Sequence, residues 1–465
     1  MISLIIVCAL VFAIVAIKKF ELATLILIVC LPLYFIRFSF FNIPSTLLEV
    51  LIIILFIVWF YKNYQSIFLR LKHNLAIRKV SGRYPFDWEI IAWLIISLVA
   101  VVTAGLSFKA LGIWRAYFFE PALLFIIFVN VFNAKEKIIK IAYALSISAL
   151  VISLIAVFQY LTGWFIPNDF WAQATSRRAT SLFSYPNAVG LYLAPIVFFL
   201  AGTLPTFYKQ NRKFFIFIIL TILASLLAIL FARSEGAIFA IALVGSLSLL
   251  IATKKTRQIF FVLLIVVIIG LAFFNNFRTY VVDRVSLNNF SGQVRKIQWR
   301  ETINMLYQGR LLTGAGLTNY QSAVKPFHQE GFFFNQEKLS QAEFVKRINS
   351  EVDYRLSHWQ PLEIYLYPHN IILNFWSELG LLGVLLFIWL MIRYFQIGTR
   401  AYALALKDKD LFAWVIFGLL LAMLAIIVHG IVDVPYFKND LAIMFWLWMA
   451  LVGASSLLIR TKSKE

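Results

Sequence analysis

The sequence is poor in charge. Asp, Glu, Lys and Arg make up 14% of its 465 residues, against 62% hydrophobic, whereas a soluble globular domain carries about a quarter charged residues. That imbalance excludes a soluble globular protein. Cysteine is scarce as well: Cys8 and Cys30 both lie in apolar runs, where packing is the plain expectation, and no CxxC pair exists. The five histidines and the acids do not cluster at metal-ligand spacing. HExxH, P-loop and GxSxG sequences are absent, so the expected chemistry uses no metal or nucleotide cofactor. No nucleic-acid motif accompanies the net charge of +20. No basic stretch precedes the first apolar run, and Lys18 and Lys19 follow it, which disfavours a cleaved signal peptide. Short-period repeats and low-complexity tracts are also missing.

What the chain has is apolar runs of membrane-spanning length. Candidate spans cover 2–17, 21–36, 46–60, 88–106, 114–132, 141–161, 187–205, 214–231, 236–252, 259–274, 370–392, 411–431 and 440–459. That is about thirteen, or twelve because the first two are short and close together. The expected fold is therefore all-α and polytopic. One alternating set of connections holds Lys18 and Lys19; Lys62, Arg70, Lys72, Arg78, Lys79 and Arg83, with His73 among them; Lys135, Lys137 and Lys140; Lys209, Arg212 and Lys213; Lys254, Lys255 and Arg257; Arg400, Lys407 and Lys409; and the tail Arg460, Lys462 and Lys464. The positive-inside rule assigns that set to the cytoplasm, and contact with anionic membrane lipid accounts for much of the charge. Four regions follow: N-terminal spans 1–160, central spans with arginine-bearing outer loops 161–274, an external loop 275–367, and C-terminal spans 368–465. A loop that long is expected to have structure and function of its own. Within it, QVRKIQWRETINML reads as an amphipathic helix with Val294, Ile297, Ile303 and Leu306 mostly on one side. TGAGLTNYQ reads as a glycine turn, FVKRINSEVDYRL as a second helical pattern, and the many aromatics suggest a loop resting on the membrane surface.

Basic residues in the outer connections run against the positive-inside rule. Arg177 and Arg178 lie in SRRATSLFSYPNAVG, and Arg233 in the tight turn ARSEG. An arginine at a helix centre costs about 2.5–3.5 kcal/mol on insertion scales and less near the ends, so something compensates for Arg233. One reading is an internal pair with Glu235 or another acid. The other is an anion site in which converging guanidinium groups grip phosphate through paired N–H bonds. For Arg177 and Arg178 the alternative is a solvated loop. Glu49, Arg115 and Glu120 read as structural pairing. His369 stands where the loop re-enters the membrane and reads either as a proton acceptor or as a cap or interface histidine. Asn370, Asn374 and Glu378 form a stripe facing the bundle, and Gly380 and Gly383 allow close helix approach. A rival base is His429, four residues from Asp433 and one helical turn away from it, equally readable as a structural hydrogen bond. His328 and His358 belong to the loop.

The segments RATSLFSYPNAVGLYLAP, ARSEGAIFAIAL, RKIQWRETINMLYQGRLLTGAGLTNYQ, PHNIILNFWSELGLLG and HGIVDVPYF resemble, in this order and over 175–437, the O-antigen ligase and polymerase superfamily of bacterial membrane glycosyltransferases. The resemblance implies a GT-C-like helical bundle with an outward cavity. It implies a donor glycan on undecaprenyl diphosphate, a glycan, lipid or protein acceptor hydroxyl, and no metal. The location implied is the bacterial plasma (inner) membrane, with the large loop on the external side. It implies that His369 is the general base and that Arg178 and Arg233 contact the diphosphate, with Arg295 on the loop helix and Arg177 as further candidates. Asn370, Glu378, His429 and Asp433 are expected in support. Ligase, polymerase and protein O-oligosaccharyltransferase share these motifs. A polysaccharide transporter or flippase explains a polar cavity but not the long loop with its entry histidine, and inverted repeats of broken helices are not evident. A polar, aromatic insert around 327–360 departs from the family pattern.

Overall fold

The computed structural model describes residues 2–40, 43–76 and 85–462. Ten helices are long and apolar enough to cross a membrane. They are α3 (Leu47–Ala76), the run Phe108–Val131 made of α5 (Phe108–Trp114), a π turn and α6 (Glu120–Val131), then α7 (Lys135–Thr162), α9 (Asn187–Gln210), α10 (Arg212–Phe231), α11 (Glu235–Ala252), α12 (Lys254–Phe273), α18 (Ile371–Lys407), α19 (Phe412–Gly430) and α20 (Asn439–Lys462). Three shorter apolar helices, α1 (Ile2–Lys18), α2 (Phe20–Val29) and α4 (Asp87–Thr103), complete the expected alternation. Strand is confined, among the described residues, to two antiparallel pairs: β1 (Arg37–Phe40) with β2 (Ile43–Thr46), and β3 (Gly331–Phe333) with β4 (Trp359–Pro361). The chain is a multi-pass, all-α membrane protein.

The centre is α9, α19 and α20, each mostly buried by its neighbours. Helices α9 and α19 touch backbone to backbone, for a Cβ on Gly202 would lie 2.6 Å from the Gly418 Cα. Small residues at such crossings maximise packing where lipid supplies no hydrophobic drive. At Pro121 the helix loses one N–H, and the Tyr117 carbonyl four residues back instead accepts the Tyr436 hydroxyl at 2.6 Å. The indoles of Trp93 and Trp446 each donate to that same hydroxyl at 3.2 Å. Arg115, in the π turn, pairs with Glu49 at 2.7 Å and Glu120 at 3.3 Å, the structural pairing expected of these three. By contrast α12 buries none of its residues. Cys8 is exposed on α1, not packed as expected, because it falls on the lipid-facing side of a peripheral helix.

At one end of the bundle Lys140 meets Glu21 at 2.7 Å, Lys62 donates to the Ile17 carbonyl at 2.6 Å, and Lys135 pairs with Asp410. The basic connections therefore converge on the end away from the large loop. Arg78, Lys79, Arg83 and Lys464 lie outside the described residues, as do the side chains of Arg70, Lys72, His73 and Lys462.

The large loop contains α13 (Asn275–Val285), α14 (Phe290–Met305), α15 (Tyr320–Val324), α16 (Gln341–Ser350) and α17 (Val352–His358). The helix expected from 293 exists, and of its expected apolar face Val294 and Leu306 are buried and Ile297 is half-buried. Ile303 is exposed, and Arg295, Gln298, Glu301 and Thr302 are buried as well, because α14 also packs against polar partners. His328 binds the Leu362 carbonyl at 3.2 Å, and His358 binds the Tyr354 carbonyl at 2.8 Å; both staple the loop to itself.

Helix α18 is longer than expected and is broken. Gly380 has φ 75° and ψ −174°, which only glycine adopts readily. The segment 311–318 fills the break. Leu381 donates to the Leu312 carbonyl at 3.0 Å, Ala315 to the Ser377 carbonyl at 2.6 Å, Thr318 to the Glu378 carboxylate at 2.7 Å, and Leu317 to the α4 carbonyl of Ala100 at 3.2 Å. Irregular backbone at membrane depth requires such protein partners. So TGAGLT is a plug in a broken helix and not merely a turn, and Gly380 serves that plug instead of a helix crossing. A Cβ on Gly380 would overlap the Leu312 carbonyl oxygen. Gly380→Ala is expected to cost at least about 2 kcal/mol, from strained backbone plus the clash, read as a lowered melting temperature of the detergent-solubilised protein.

Candidate functional site

Five segments meet at the loop-bearing end around the turn after α19. Arg233 closes the turn between α10 and α11, with Arg233 N bonded to the Leu230 carbonyl at 3.0 Å. Its φ of 48° is left-handed, uncommon for a non-glycine residue. Its carbonyl accepts from Arg178 at 3.2 Å. The expected alternative, a pair with Glu235, does not form: Glu235 pairs with Arg284 and accepts from Asn289 at 3.1 Å. Among the described residues no hydrogen bond or ion pair engages the Arg233 guanidinium.

Arg178 is held on two sides. Its Nε donates to the Ala232 carbonyl at 3.0 Å, and one terminal nitrogen donates to Asn187 Oδ1 at 2.9 Å. Arg295 on α14 is held likewise, Nε to the Val432 carbonyl at 2.8 Å and Nη1 to Ser291 Oγ at 2.7 Å. In each case one terminal nitrogen has no hydrogen bond among the described residues. Burial, with the nearby charges of Arg233 and Arg295, pushes Arg178 down to about 10, so it stays protonated at neutral pH. Burial also pushes Arg295 down, opposed by Asp433 and Tyr365.

His369 precedes α18 with φ 45°, the second strained non-glycine residue in the site. Asn370 caps α18 by accepting from Leu373 N at 3.0 Å, and its amide donates to the Ile431 carbonyl at 2.9 Å. The imidazole stands edge-on to the Tyr365 ring, centroids 5.4 Å apart. Its Nδ1 lies 3.5 Å from Asp433 Oδ1, the histidine side chain 29% exposed and the aspartate 6%. That leaves Nε2 as the nitrogen available to another molecule. Asp433 Oδ1 also accepts from Val434 N at 2.8 Å, and Oδ2 accepts from Asn187 Nδ2 at 3.1 Å. Asn187 therefore joins Arg178 on one side to Asp433 and His369 on the other. Sequence reading passed over Asn187; the only signal was its place after Pro186 at the start of α9.

Residues 220–388 match the family model described as O-antigen ligase. The match covers 169 of the 465 residues, and over that segment the chain is similar to this family. The matched segment contains Arg233, Arg295 and His369, while Arg178, Asn187 and Asp433 come from outside it. The match supports a membrane glycosyltransferase of the ligase and polymerase kind. No curated protein matches the chain.

Not every candidate joins the cluster. Arg177 turns back to cap α7, donating to the carbonyls of Tyr160 at 3.0 Å and Ala172 at 3.2 Å. Glu378 anchors the plug described above, and Asn374 is fully buried beside it. His429 does not form the expected i, i+4 pair with Asp433 as its principal partner. Helix α19 ends at Gly430, so Asp433 leaves the helix and swings to His369. His429 packs instead on Gly236, where a Cβ would come within 2.6 Å of its ring.

Burial alone would raise the Asp433 carboxyl. The His369 imidazole facing it at 3.5 Å, with His429 and Arg295 nearby, holds it below the ordinary 3.8. A carboxylate depressed on folding contributes stability that is complete above its unfolded value and is lost as pH falls through its folded value. The melting-temperature gap between the wild-type protein and its Asp433→Asn variant is therefore expected to be full at pH 5–7 and to narrow below about pH 4, measured by scanning fluorimetry in detergent.

Proposed function

We propose that this protein transfers a glycan from a polyprenyl diphosphate, undecaprenyl diphosphate in the bacterial plasma membrane, to an acceptor hydroxyl at the external face. The acceptor oxygen attacks the anomeric carbon. The bond from that carbon to the diphosphate oxygen breaks, the polyprenyl diphosphate leaves, and the acceptor proton passes to His369 Nε2. Asp433 holds the ring by Nδ1 and stabilises the imidazolium that forms, the role a buried carboxylate plays beside a histidine base. Charge developing on the departing diphosphate is met by Arg233 and by the unbound terminal nitrogens of Arg178 and Arg295. Such pre-placed donors stabilise the transition state because they need not reorganise when charge appears.

The observation that carries this reading is the chain Arg178–Asn187–Asp433–His369, with the Arg233 carbonyl bonded to Arg178 and Arg295 bonded to the Val432 carbonyl of the turn after α19. It joins anion-binding and proton-accepting groups in one site. Convergence of the basic connections on the opposite end supports an external position for the site and its loop. A bundle that only moved glycan between leaflets would have no need of a carboxylate-held histidine beside the arginines. The test is reconstitution in liposomes with a polyprenyl-diphosphate glycan and candidate acceptors, without ATP or added metal. Appearance of glycosylated acceptor with release of polyprenyl diphosphate is expected. Movement of intact donor across the bilayer with no product would overturn the reading.

A further inference from the structure

A separate cavity of about 810 Å³ opens between α13, α14 and the segment 334–341, within the size range of ligand pockets, about 300–1,000 Å³. Its charged groups are already spent: Arg284 pairs with Glu235, and Lys338 with Asp283. The unspent groups are neutral. The carboxamides of Asn276, Gln336 and Gln341 and the Tyr280 hydroxyl line the cavity and have no hydrogen bond among the described residues. The rings of Tyr280 and Phe290 are 58% and 42% exposed, and Phe290 is braced from behind by Phe332, ring centroids 5.7 Å apart. An amide offers a donor and an acceptor side by side, which matches neighbouring hydroxyls on a sugar. An aromatic face suits the apolar C–H face of the same ring. An anion would find no free cation here, and an apolar ligand would leave the amides unpaired, which is costly.

The cavity also adjoins the reaction site. Gln293 of α14 lines it, and Arg295, two residues on, binds the turn after α19. Glu235, two residues past Arg233, ties Arg284 and Asn289 of the cavity wall. We infer that this cavity is a glycan subsite that holds the distal, uncharged sugars of the donor while the arginines hold its diphosphate. The assignment to the donor rests on the transferase reading above. It gives the insert around 327–360 a task, since Phe334, Gln336 and Gln341 come from it.

The test uses the full chain in nanodiscs and, as probe, the phosphate-free oligosaccharide released by mild acid from the host's lipid-linked glycan. Calorimetry is expected to show equal binding to the wild type and to His369→Ala. Binding should weaken about tenfold in an Asn276→Ala, Gln341→Ala double variant, the loss of about 1.4 kcal/mol. Both residues are exposed, so the melting temperature should hold. The same double variant is expected to raise KM for a donor with the complete glycan more than KM for a single-sugar donor. Unchanged binding in the double variant, or no binding by a wild-type preparation that transfers, overturns the subsite. A KM change confined to the acceptor overturns its assignment to the donor. Binding that follows this pattern in a protein that transfers nothing sinks the transferase reading and leaves the subsite standing.

Discussion

Replacing His369 by alanine is expected to lower the transfer rate about 10²–10⁴-fold, the usual contribution of general-base catalysis, with KM for the donor unchanged. The two halves of that expectation come from different parts of the geometry. Nδ1 faces Asp433 at 3.5 Å, so the imidazole is oriented with Nε2 toward the acceptor, and its loss removes an interaction made only as the hydroxyl gives up its proton. The diphosphate is assigned to the guanidinium groups, none of which is hydrogen-bonded to the His369 side chain, so donor binding has no reason to weaken. Asp433→Asn separates the proton role from simple positioning. The amide keeps the shape and its bond to Val434 N but cannot balance an imidazolium. Loss of such a carboxylate beside a histidine base costs up to about 10⁴-fold, so Asp433→Asn is expected to approach the loss of the ring itself. A His369→Ala protein that retains full turnover in the liposome assay would eliminate the base. A variant with raised donor KM and normal kcat would instead make His369 a binding residue.

The membrane architecture was legible because bilayer thickness sets a length that apolar runs either reach or miss: among the described residues ten helices reach it, and the other three candidate spans fall on the shorter α1, α2 and α4. The positions of Arg178, Arg233, Arg295 and His369 could be picked out because cations and imidazole are conspicuous beside apolar spans. What could not be read was how the pieces close on one another. His429 and Asp433 looked like a pair only under helical spacing, and the helix ends at Gly430, between them. Asn187 is an ordinary helix-start asparagine until the fold brings the 433 turn against it. The break in α18 depends on 311–318 docking some sixty-five residues upstream of it, and the local sequence offered only Gly380. On α14 apolar periodicity found Val294 and Leu306 but not the buried Arg295, Gln298 and Glu301, whose partners lie elsewhere in the chain. Local pattern reports lipid contact well, and buried polar contact is settled by partners far along the chain.

Arg233→Lys is expected to reduce kcat/KM about 10²–10³-fold, the cost of removing one pre-placed donor at a developing anion, although the charge is retained. Several features make this the cleanest arginine to test. Its guanidinium has no partner among the described residues, so lysine breaks no framework bond, and Glu235 is held by Arg284 and Asn289, so no acid is left unpaired. Lysine and arginine tolerate the left-handed φ of 48° about equally. What changes is the planar fork: an ammonium is a point charge and cannot give two parallel N–H bonds to a phosphoryl group. Arg178→Lys is a different experiment, because that side chain holds the Ala232 carbonyl and Asn187, and its loss should lower the melting temperature as well as the rate. For Arg233→Lys the melting temperature should stay put while inhibition by a short-chain prenyl diphosphate weakens alongside turnover. If turnover and diphosphate inhibition both survive the change, Arg233 does not hold the leaving group. The unpaired guanidinium, the strained turn that presents it and the neighbouring Arg178 and Arg295 would then need another ligand to explain them.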